Sequence, residues 1–222
     1  RTGAIAAAAG GLLGLIALLQ FTCGSFTPDG SVNSWVDMHW LPGRLHGGVF
    51  DPEGPLCIAS ASALCMGGWL AGKFLKESRL PSVRLCMAMM GAGILLFSAA
   101  RMLDGAYPII KSMWTGTFVL AAAGISLMLL SLFHLAVDAW NGGKWAKWAF
   151  PLRVIGVNAL AAYLIHALLN VHELNQRIFS GAADFFPPFQ PVLLAVSLLL
   201  LQWLVLLFFY RRRISFAKSP AK

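Results

Sequence analysis

Long uninterrupted apolar runs are the feature that most restricts what this chain can fold into. A hydrocarbon core about 30 Å thick is crossed by a helix of roughly 20 mostly apolar residues. Runs of that kind lie near residues 4–20, 55–72, 85–100, 116–137, 154–170 and 190–210. The sequence therefore predicts an all-α, polytopic integral membrane bundle of about six transmembrane helices.

The composition agrees with a chain that lipid covers over much of its surface. Apolar residues make up 58% of the sequence and charged residues only 12%, about half the charged share of an ordinary soluble domain. A transmembrane β-barrel is excluded because a run such as 191–210 is apolar all round and does not alternate with a period of two.

The basic residues are distributed unevenly along the chain, which has a net charge of +8. Most of them fall between the second and third predicted helices, between the fourth and fifth, and after the last: Lys73, Lys76, Arg79, Arg84, Lys144, Lys147, Arg153, Arg211, Arg212, Arg213, Lys218 and Lys222. The positive-inside rule then places these segments and both termini in the cytoplasm. Topology thus accounts for the charge, which argues against a nucleic-acid partner.

The remaining segments complete the predicted organisation. Residues 1–210 are expected to form one transmembrane domain, and residues 211–222 a basic cytoplasmic tail. Residues 21–54 form the longest loop, on the outer face, and are so rich in glycine and proline that we expect neither helix nor strand there. Because the chain begins with Arg1 and runs at once into an apolar stretch, we expect further residues upstream.

Two pairs of small residues at four-residue spacing suggest where helices approach each other closely. They are Gly10 with Gly14 and Gly68 with Gly72. Small side chains let helix backbones come together in a membrane, so we expect helix contacts at both pairs.

Polar residues inside predicted spans are costly and therefore mark candidate functional positions. The fifth predicted helix carries Asn158, Tyr163 and His166. On one continuous helix, Asn158 and His166 can face the same side about 12 Å apart. The alternative is a histidine satisfied by a neighbouring helix. On the fourth helix, His134 and Asp138 lie four residues apart and are expected to share one face near the cytoplasmic end, either as a structural pair or as a catalytic pair in which the carboxylate holds one tautomer of the histidine or keeps it charged.

Two carboxylates precede the second predicted helix. Asp51 and Glu53 alternate with Pro52 and Gly54, directly before Pro55. Acidic residues in the first turn of a helix are favoured by its dipole, so simple capping is one interpretation. The other is a rigid, outward-facing carboxylate pair that binds amine or hydroxyl groups of a substrate.

The basic segment between the fourth and fifth helices also has two interpretations. The segment contains three basic residues interleaved with Trp145 and Trp148: Lys144, Lys147 and Arg153. They act either as a topology signal or as a binding site for the phosphates of a nucleotide-bearing cofactor. The four cysteines lack the spacing of a metal site, so no metal is predicted.

Five motifs resemble one family, in the same order along the chain. They are Leu41-Pro-Gly-Arg44, Phe50-Asp-Pro-Glu-Gly54, Lys111-Ser-Met-Trp-Thr-Gly-Thr-Phe-Val119, Ala136-Val-Asp138 and Gly156-Val-Asn-Ala-Leu-Ala-Ala-Tyr-Leu-Ile-His166. Together they resemble the carboxy-terminal half of the heparan-alpha-glucosaminide N-acetyltransferase family, which includes bacterial relatives.

The resemblance implies a function that spans the membrane. Members of the family have about eleven spans and transfer an acetyl group from cytoplasmic acetyl-CoA to the amine of glucosamine on the far side. It implies a bacterial cytoplasmic (inner) membrane location, an amino-sugar or glycan substrate, contacts with membrane lipid and a partner in the missing amino-terminal half. A homodimer is left open. The family's proposed catalytic histidine lies in that other half, in a His-Ala-Pro-Trp type stretch absent here, so this half alone is expected to be inactive.

The resemblance also implies roles for individual residues. His166 and Asn158 match the family's histidine and asparagine and are the catalytic candidates, with Asn158 better suited to orient the cofactor. Asp51 and Glu53 match the family's Asp-Pro-Glu-Gly element. Arg44, His46, His134 and Lys144 are our own additions and do not come from the resemblance. The predicted substrate-binding set is Asp51, Glu53, Arg44 and Trp114, and the predicted cofactor-binding set is Asp138, Lys144, Lys147 and Arg153.

Two other classes of function remain open at this point. The same acids and His166 would also line the path of an amino-sugar transporter, since buried polar residues serve transporters equally well. A structural membrane module without a ligand is the third reading. The basic segment separates the first two, because a sugar carrier has no need of a cytoplasmic phosphate seat whereas an acetyl-CoA-dependent transferase does.

The predicted orientation is tested directly by reporter fusions. A reporter fused after Lys222 should be cytoplasmic and one inserted near Gly30 external, because the basic segments are retained inside. Activity of paired reporters, each active on one side of the membrane only, measures this, and the reversed pattern would contradict the assignment of sides.

Overall fold

A computed structural model describes residues 1–46, 48–139, 146–168, 170–185 and 187–212, apart from the side chains of residues 146 and 166–168. Within those ranges every regular element is helical, which confirms the all-α prediction. The α-helices are α1 Thr2–Thr22, α2 Val32–Trp40, α3 Pro55–Glu77, α4 Ser82–Leu103, α5 Gly116–His134, α6 Phe150–Val157, α7 Ala159–Leu168, α8 Val171–Ala183 and α9 Gln190–Arg211.

The described helices confirm five of the predicted spans and change the sixth. Helices α1, α3, α4 and α9, together with α5 and the π-helical turn Leu135–Ala139 that continues it, are long and apolar enough to cross a membrane. The pair α6 and α7 counts as a sixth span only if its two bent halves are taken together. The chain is therefore an integral membrane protein.

The chain divides into two compact units, residues 1–142 and residues 143–222. In the first unit α1 packs against α3, and α4 against α5, with neighbours running in opposite directions. One end of this unit is closed by the segments 23–54 and 104–115, and we call it the capped end. The opposite end carries the basic segment that joins α3 to α4.

Helices α4 and α5 approach most closely where two glycines face each other. A Cβ atom placed on Gly93 would lie 2.8 Å from the Gly124 carbonyl oxygen, and one on Gly124 would lie 2.7 Å from that of Gly93. The expectation of close contacts at Gly10 with Gly14 and at Gly68 with Gly72 is wrong for the described structure. No heavy atom of the surroundings lies within 4 Å of a Cβ built at any of those four positions.

The expectation that residues 21–54 contain no helix is also wrong, because α2 lies in this segment. Ser31 begins it, its hydroxyl accepting a hydrogen bond from the backbone N–H of Ser34 at 3.1 Å, a common way to satisfy a free donor at a helix start. The glycines and prolines all fall on either side of α2 and leave residues 32–40 free to be helical.

The fifth predicted helix is not continuous, which corrects the geometry inferred for its polar residues. α6 ends at Val157 and α7 begins at Ala159, and the axis bends by 63° between them. The Asn158 side-chain amide donates to the carbonyl of Val154 at 3.4 Å, and such local side-chain bonds often bend helices. Asn158 and His166 therefore do not share one face of a single straight helix.

The second unit is built on α9. Helices α6 and α7 pack against α9 around Val154, Ala161 and Leu206, which are buried together. Helix α8 packs on α9 as well, where the Asn175 amide donates to the carbonyl of Leu194 at 2.9 Å. The polar residues on the bent pair thus belong to this unit.

The close approach of α4 and α5 predicts a position-specific cost of adding one methyl group. Gly93→Ala should lower the free energy of unfolding by about 1–3 kcal/mol, because the new Cβ meets backbone that cannot move aside. Thermal or denaturant unfolding in detergent micelles measures this. Gly91→Ala, on the same helix in open space, is the matched control, and equal losses in both variants would contradict the contact.

Candidate functional site

Helix α2 holds the segment that carries the predicted carboxylates. Its Ser34 hydroxyl donates to the carbonyl of Val49 at 2.8 Å. One turn further on, the Asp37 carboxylate accepts a hydrogen bond from the backbone N–H of Asp51 at 2.9 Å. Two side chains of one short helix therefore anchor residues 49–51 at the capped end.

The chain turns tightly from Asp51 to Gly54. The Asp51 carboxylate accepts from the backbone N–H of Glu53 at 2.9 Å, and the Asp51 carbonyl accepts from that of Gly54 at 2.9 Å. The backbone N–H of His46 also reaches the Asp51 carboxylate, at 3.5 Å. Asp51 is half-buried, and its carboxylate is already hydrogen-bonded to the backbone of its own turn. Glu53 is exposed, and its carboxylate accepts no hydrogen bond from the described residues.

The position of these acids bears on the capping interpretation of the sequence. Helix α3 begins after Gly54 with proline in its first turn, and no side chain caps it. Neither Asp51 nor Glu53 therefore bonds to the free N–H groups at the start of the helix, so hydrogen-bonded capping does not explain them. At the capped end the Glu53 carboxylate is therefore exposed to solvent and free of hydrogen bonds to the described residues.

Gly54 is required for Asp37 to come this close. A Cβ atom at Gly54 would lie 2.7 Å from the Asp37 carboxyl carbon and closer still to one of its oxygens. The backbone of Gly54 is itself ordinary extended chain, with φ −66°. A glycine is needed here for space and not for an unusual backbone angle.

Asp37 is among the most buried polar groups in the described structure, with 1% of its surface exposed. Burial raises the pKa of its carboxyl group, the hydrogen bond from Asp51 N–H acts in the opposite direction, and the negative charge of Asp51 raises it further. The second carboxyl oxygen has no hydrogen-bond partner among the described residues. Burying the charged form without a second partner is costly, so this contribution to stability is greatest when Asp37 is protonated and falls as the pH rises through its raised pKa.

A buried polar network joins the helices beneath this site. The Gln20 amide donates to Asn33 at 3.0 Å and to the carbonyl of Met113 at 3.3 Å. The Asn33 amide donates to the same carbonyl and to the Cys57 sulfur, each at 3.3 Å. These contacts tie the end of α1, helix α2, the start of α3 and the segment before α5 to one another.

Tyr107 completes the network. Its hydroxyl donates to the Gln20 side-chain oxygen and accepts from the backbone N–H of Gly116 at 2.8 Å. Burial raises the pKa of the Tyr107 phenol, and the hydrogen bond from Gly116 acts against that shift. The phenol therefore stays protonated well into the alkaline range and keeps both bonds.

The other residues of the predicted substrate set lie at the same end without contacting the carboxylates in the described structure. Arg44 is exposed, in the segment that follows α2. Trp114 is half-buried between α4 and α5, with its ring edge-on to Phe118 at 5.4 Å. Its φ of +49° is unusual for a residue with a side chain.

The catalytic candidates lie in the second unit. Asn158 is buried at the bend between α6 and α7, and its side-chain oxygen has no hydrogen-bond partner among the described residues. The backbone of His166 lies in α7, but its side chain is outside the described part of the structure.

The predicted cofactor set is divided between the two units. Asp138 lies in the π-helical turn after α5, at the end of the first unit opposite the capped end, and its carboxylate is 2.9 Å from the His134 ring. Lys147 and Arg153 are exposed in the second unit. Lys144 lies outside the described residues. Within the described ranges no group of three or more histidine, cysteine or acidic side chains is arranged to hold a metal.

Sequence reasoning missed the residues that build the capped end, above all Gln20, Asn33, Asp37 and Tyr107. Two signals were present. Gln20 is a polar residue at the end of an apolar run, and Asp37 is an acid within a stretch free of glycine and proline. Neither signal indicates its partner, because Gln20 and Tyr107 are 87 residues apart.

The network predicts a cost for removing a single hydroxyl group. Tyr107→Phe should lower the free energy of unfolding by about 1–3 kcal/mol, because it leaves the buried Gln20 oxygen and Gly116 N–H without a partner. Unfolding in detergent measures the loss. Tyr163→Phe, at a tyrosine that is 70% exposed, is the control, and an unchanged stability of Tyr107→Phe would argue against the network.

Comparison with known proteins adds no family assignment. A scan against protein-family models finds no match for this chain, and a search of curated proteins finds none. The resemblance to the heparan-alpha-glucosaminide N-acetyltransferase family accordingly stays a prediction that rests on the five motifs themselves.

Proposed function

We propose that this chain is the carboxy-terminal half of a transmembrane acyltransferase. In this proposal the acetyl group of cytoplasmic acetyl-CoA is transferred to the amine of an amino sugar such as glucosamine on the outer side. The capped end of the first unit faces outward and receives the acceptor. The half of the protein that carries the family's histidine is required for activity.

The exposed Glu53 carboxylate is the observation that carries the proposal. It stands on a turn fixed by three hydrogen bonds, and neither helix capping nor an ion pair with a described residue accounts for it. A carboxylate binds a cationic amine and accepts hydrogen bonds from sugar hydroxyls, and the fixed turn sets the backbone position from which Glu53 offers it. Glucosamine offers both groups.

The arrangement of the first unit supports a reaction that uses both sides of the membrane. Glu53 lies at one end of the helices, whereas Asp138 and the basic segment that joins α3 to α4 lie at the other. Under the positive-inside rule the basic end is cytoplasmic, the side on which acetyl-CoA is available. Asp138, at this end of the first unit, is assigned to the cofactor, and the sequence prediction that Lys144, Lys147 and Arg153 bind CoA phosphates is kept as part of the proposal.

Acetyl transfer to an amine requires a base for the amine proton and hydrogen-bond donors for the oxygen of the thioester carbonyl. The amine attacks the thioester carbonyl, a base takes the amine proton, and the CoA thiolate leaves. Hydrogen-bond donors at the carbonyl stabilise the intermediate oxyanion. His166 or the histidine of the other half is assigned as the base, and the Asn158 amide is assigned to orient the thioester.

The two carboxylates should respond differently to loss of charge. In the full-length protein, Glu53→Gln should reduce kcat/KM for glucosamine by about 10- to 100-fold, the worth of one charge-assisted hydrogen bond. Asp51→Asn should cause a smaller loss, because the asparagine side-chain oxygen still accepts the Glu53 N–H and keeps the turn in place. Steady-state kinetics with acetyl-CoA held saturating measures both.

Asp29→Asn is the matched control, since it removes an exposed acid from the same segment. It should leave acceptor kinetics unchanged. Normal kcat/KM for glucosamine in both Asp51→Asn and Glu53→Gln would refute the acceptor site.

A further inference from the structure

Asp37 lies directly behind the turn that presents Glu53, and no motif of the sequence analysis includes it. From the geometry of α2 we infer that Asp37 is the positioning residue of the acceptor site: it fixes the Asp51–Gly54 turn and thereby the backbone position from which the Glu53 side chain extends. The inference deepens the proposed function and rests on it.

The hydrogen bond from Asp51 N–H is the first link. It joins two residues 14 positions apart, and so it sets where the turn lies relative to α2. A carboxylate with 1% exposure cannot exchange this bond for one to water. Because Asp51 then accepts from Glu53 N–H at 2.9 Å, a displacement at Asp37 passes along the turn to Glu53.

The contact with Gly54 is the second link and acts on the other end of the turn. The Asp37 carboxyl group fills the space that a side chain at position 54 would need. The turn is therefore held at Asp51 by a hydrogen bond and at Gly54 by close packing, both against one side chain. Glu53 lies between these two points.

Burial of Asp37 has no other structural use among the described residues. Its second carboxyl oxygen makes no hydrogen bond there, whereas Ser34 on the same helix already anchors Val49. An apolar residue would pack in this place without the cost of burying an acid. The hydrogen bond that Asp37 accepts from the backbone N–H of Asp51 is therefore the reason for an acidic residue at this buried position.

Hydrogen exchange tests the positional step without any assumption about activity. In Asp37→Ala the amide of Asp51 should exchange about tenfold faster, the effect expected for losing one hydrogen bond to a buried carboxylate. Asp37→Asn keeps an acceptor oxygen and should retain the slow rate, as should Asp29→Asn. Equal rates in Asp37→Ala and the unaltered protein would overturn the inference.

A double-mutant cycle tests the contact with Gly54 and does not depend on Asp37→Ala alone. Gly54→Ala should by itself accelerate exchange of the turn, because the added Cβ meets the Asp37 carboxyl group. In the Asp37→Ala background the same change should add little, since the obstructing side chain is gone. Strictly additive effects would show that the two positions do not interact, which would overturn the inference.

Acceptor kinetics separate a positioning role from a merely structural one. In the full-length protein, Asp37→Ala should raise KM for glucosamine about tenfold, leave KM for acetyl-CoA unchanged, and be rescued by Asp37→Asn. Faster exchange with an unaltered KM for glucosamine would overturn the positioning role. If Glu53→Gln also leaves acceptor kinetics unchanged, the proposed function itself fails, so the two failures are distinguishable.

Discussion

The need to satisfy backbone polar groups away from water governs this structure. In hydrocarbon an unpaired N–H or C=O costs several kcal/mol, so the spans are helices. The constraint is hardest to meet where helices end and the chain must cross from one to the next. At the capped end it is met by side chains: Thr115 begins α5 by accepting from Phe118 N–H at 3.3 Å and donates to the carbonyl of Pro108 at 2.9 Å.

The same requirement explains how the capped end is held in place. Gln20, Asn33 and Tyr107 are each buried, and each bonds to at least one element of the first unit other than its own. Hydrogen-bond networks of this kind fix one arrangement of the groups that they join. Helix α2 is held on this network from below and in turn holds the Asp51–Gly54 turn, so the exposed Glu53 stands on a rigid support.

Hydropathy was sufficient to predict the spans, because each needs only a long apolar run. It was insufficient for α2, which has nine residues and is half polar, too short and too mixed to be separated from the surrounding loop. The helix break at Asn158 was missed because neither proline nor a charge marks it. The hydrogen bond from its side chain to the Val154 carbonyl competes with the regular backbone bonds of the helix, and the hydrophobic periodicity of the sequence gives no sign of it. The Asp51 and Glu53 pair could be recognised from its flanking proline and glycine. The role of Asp37 could not be predicted, because it depends on a hydrogen bond with a residue 14 positions away.

Transfer of an acetyl group across the membrane is the central claim, and sided proteoliposomes test it most directly. The full-length protein would be reconstituted with acetyl-CoA on the side of its basic segments and glucosamine on the other. The account predicts N-acetylglucosamine on the glucosamine side, with CoA released on the opposite side in equal amount. Unmodified glucosamine accumulating with the acetyl-CoA, with no CoA released, would contradict the account and identify a transporter.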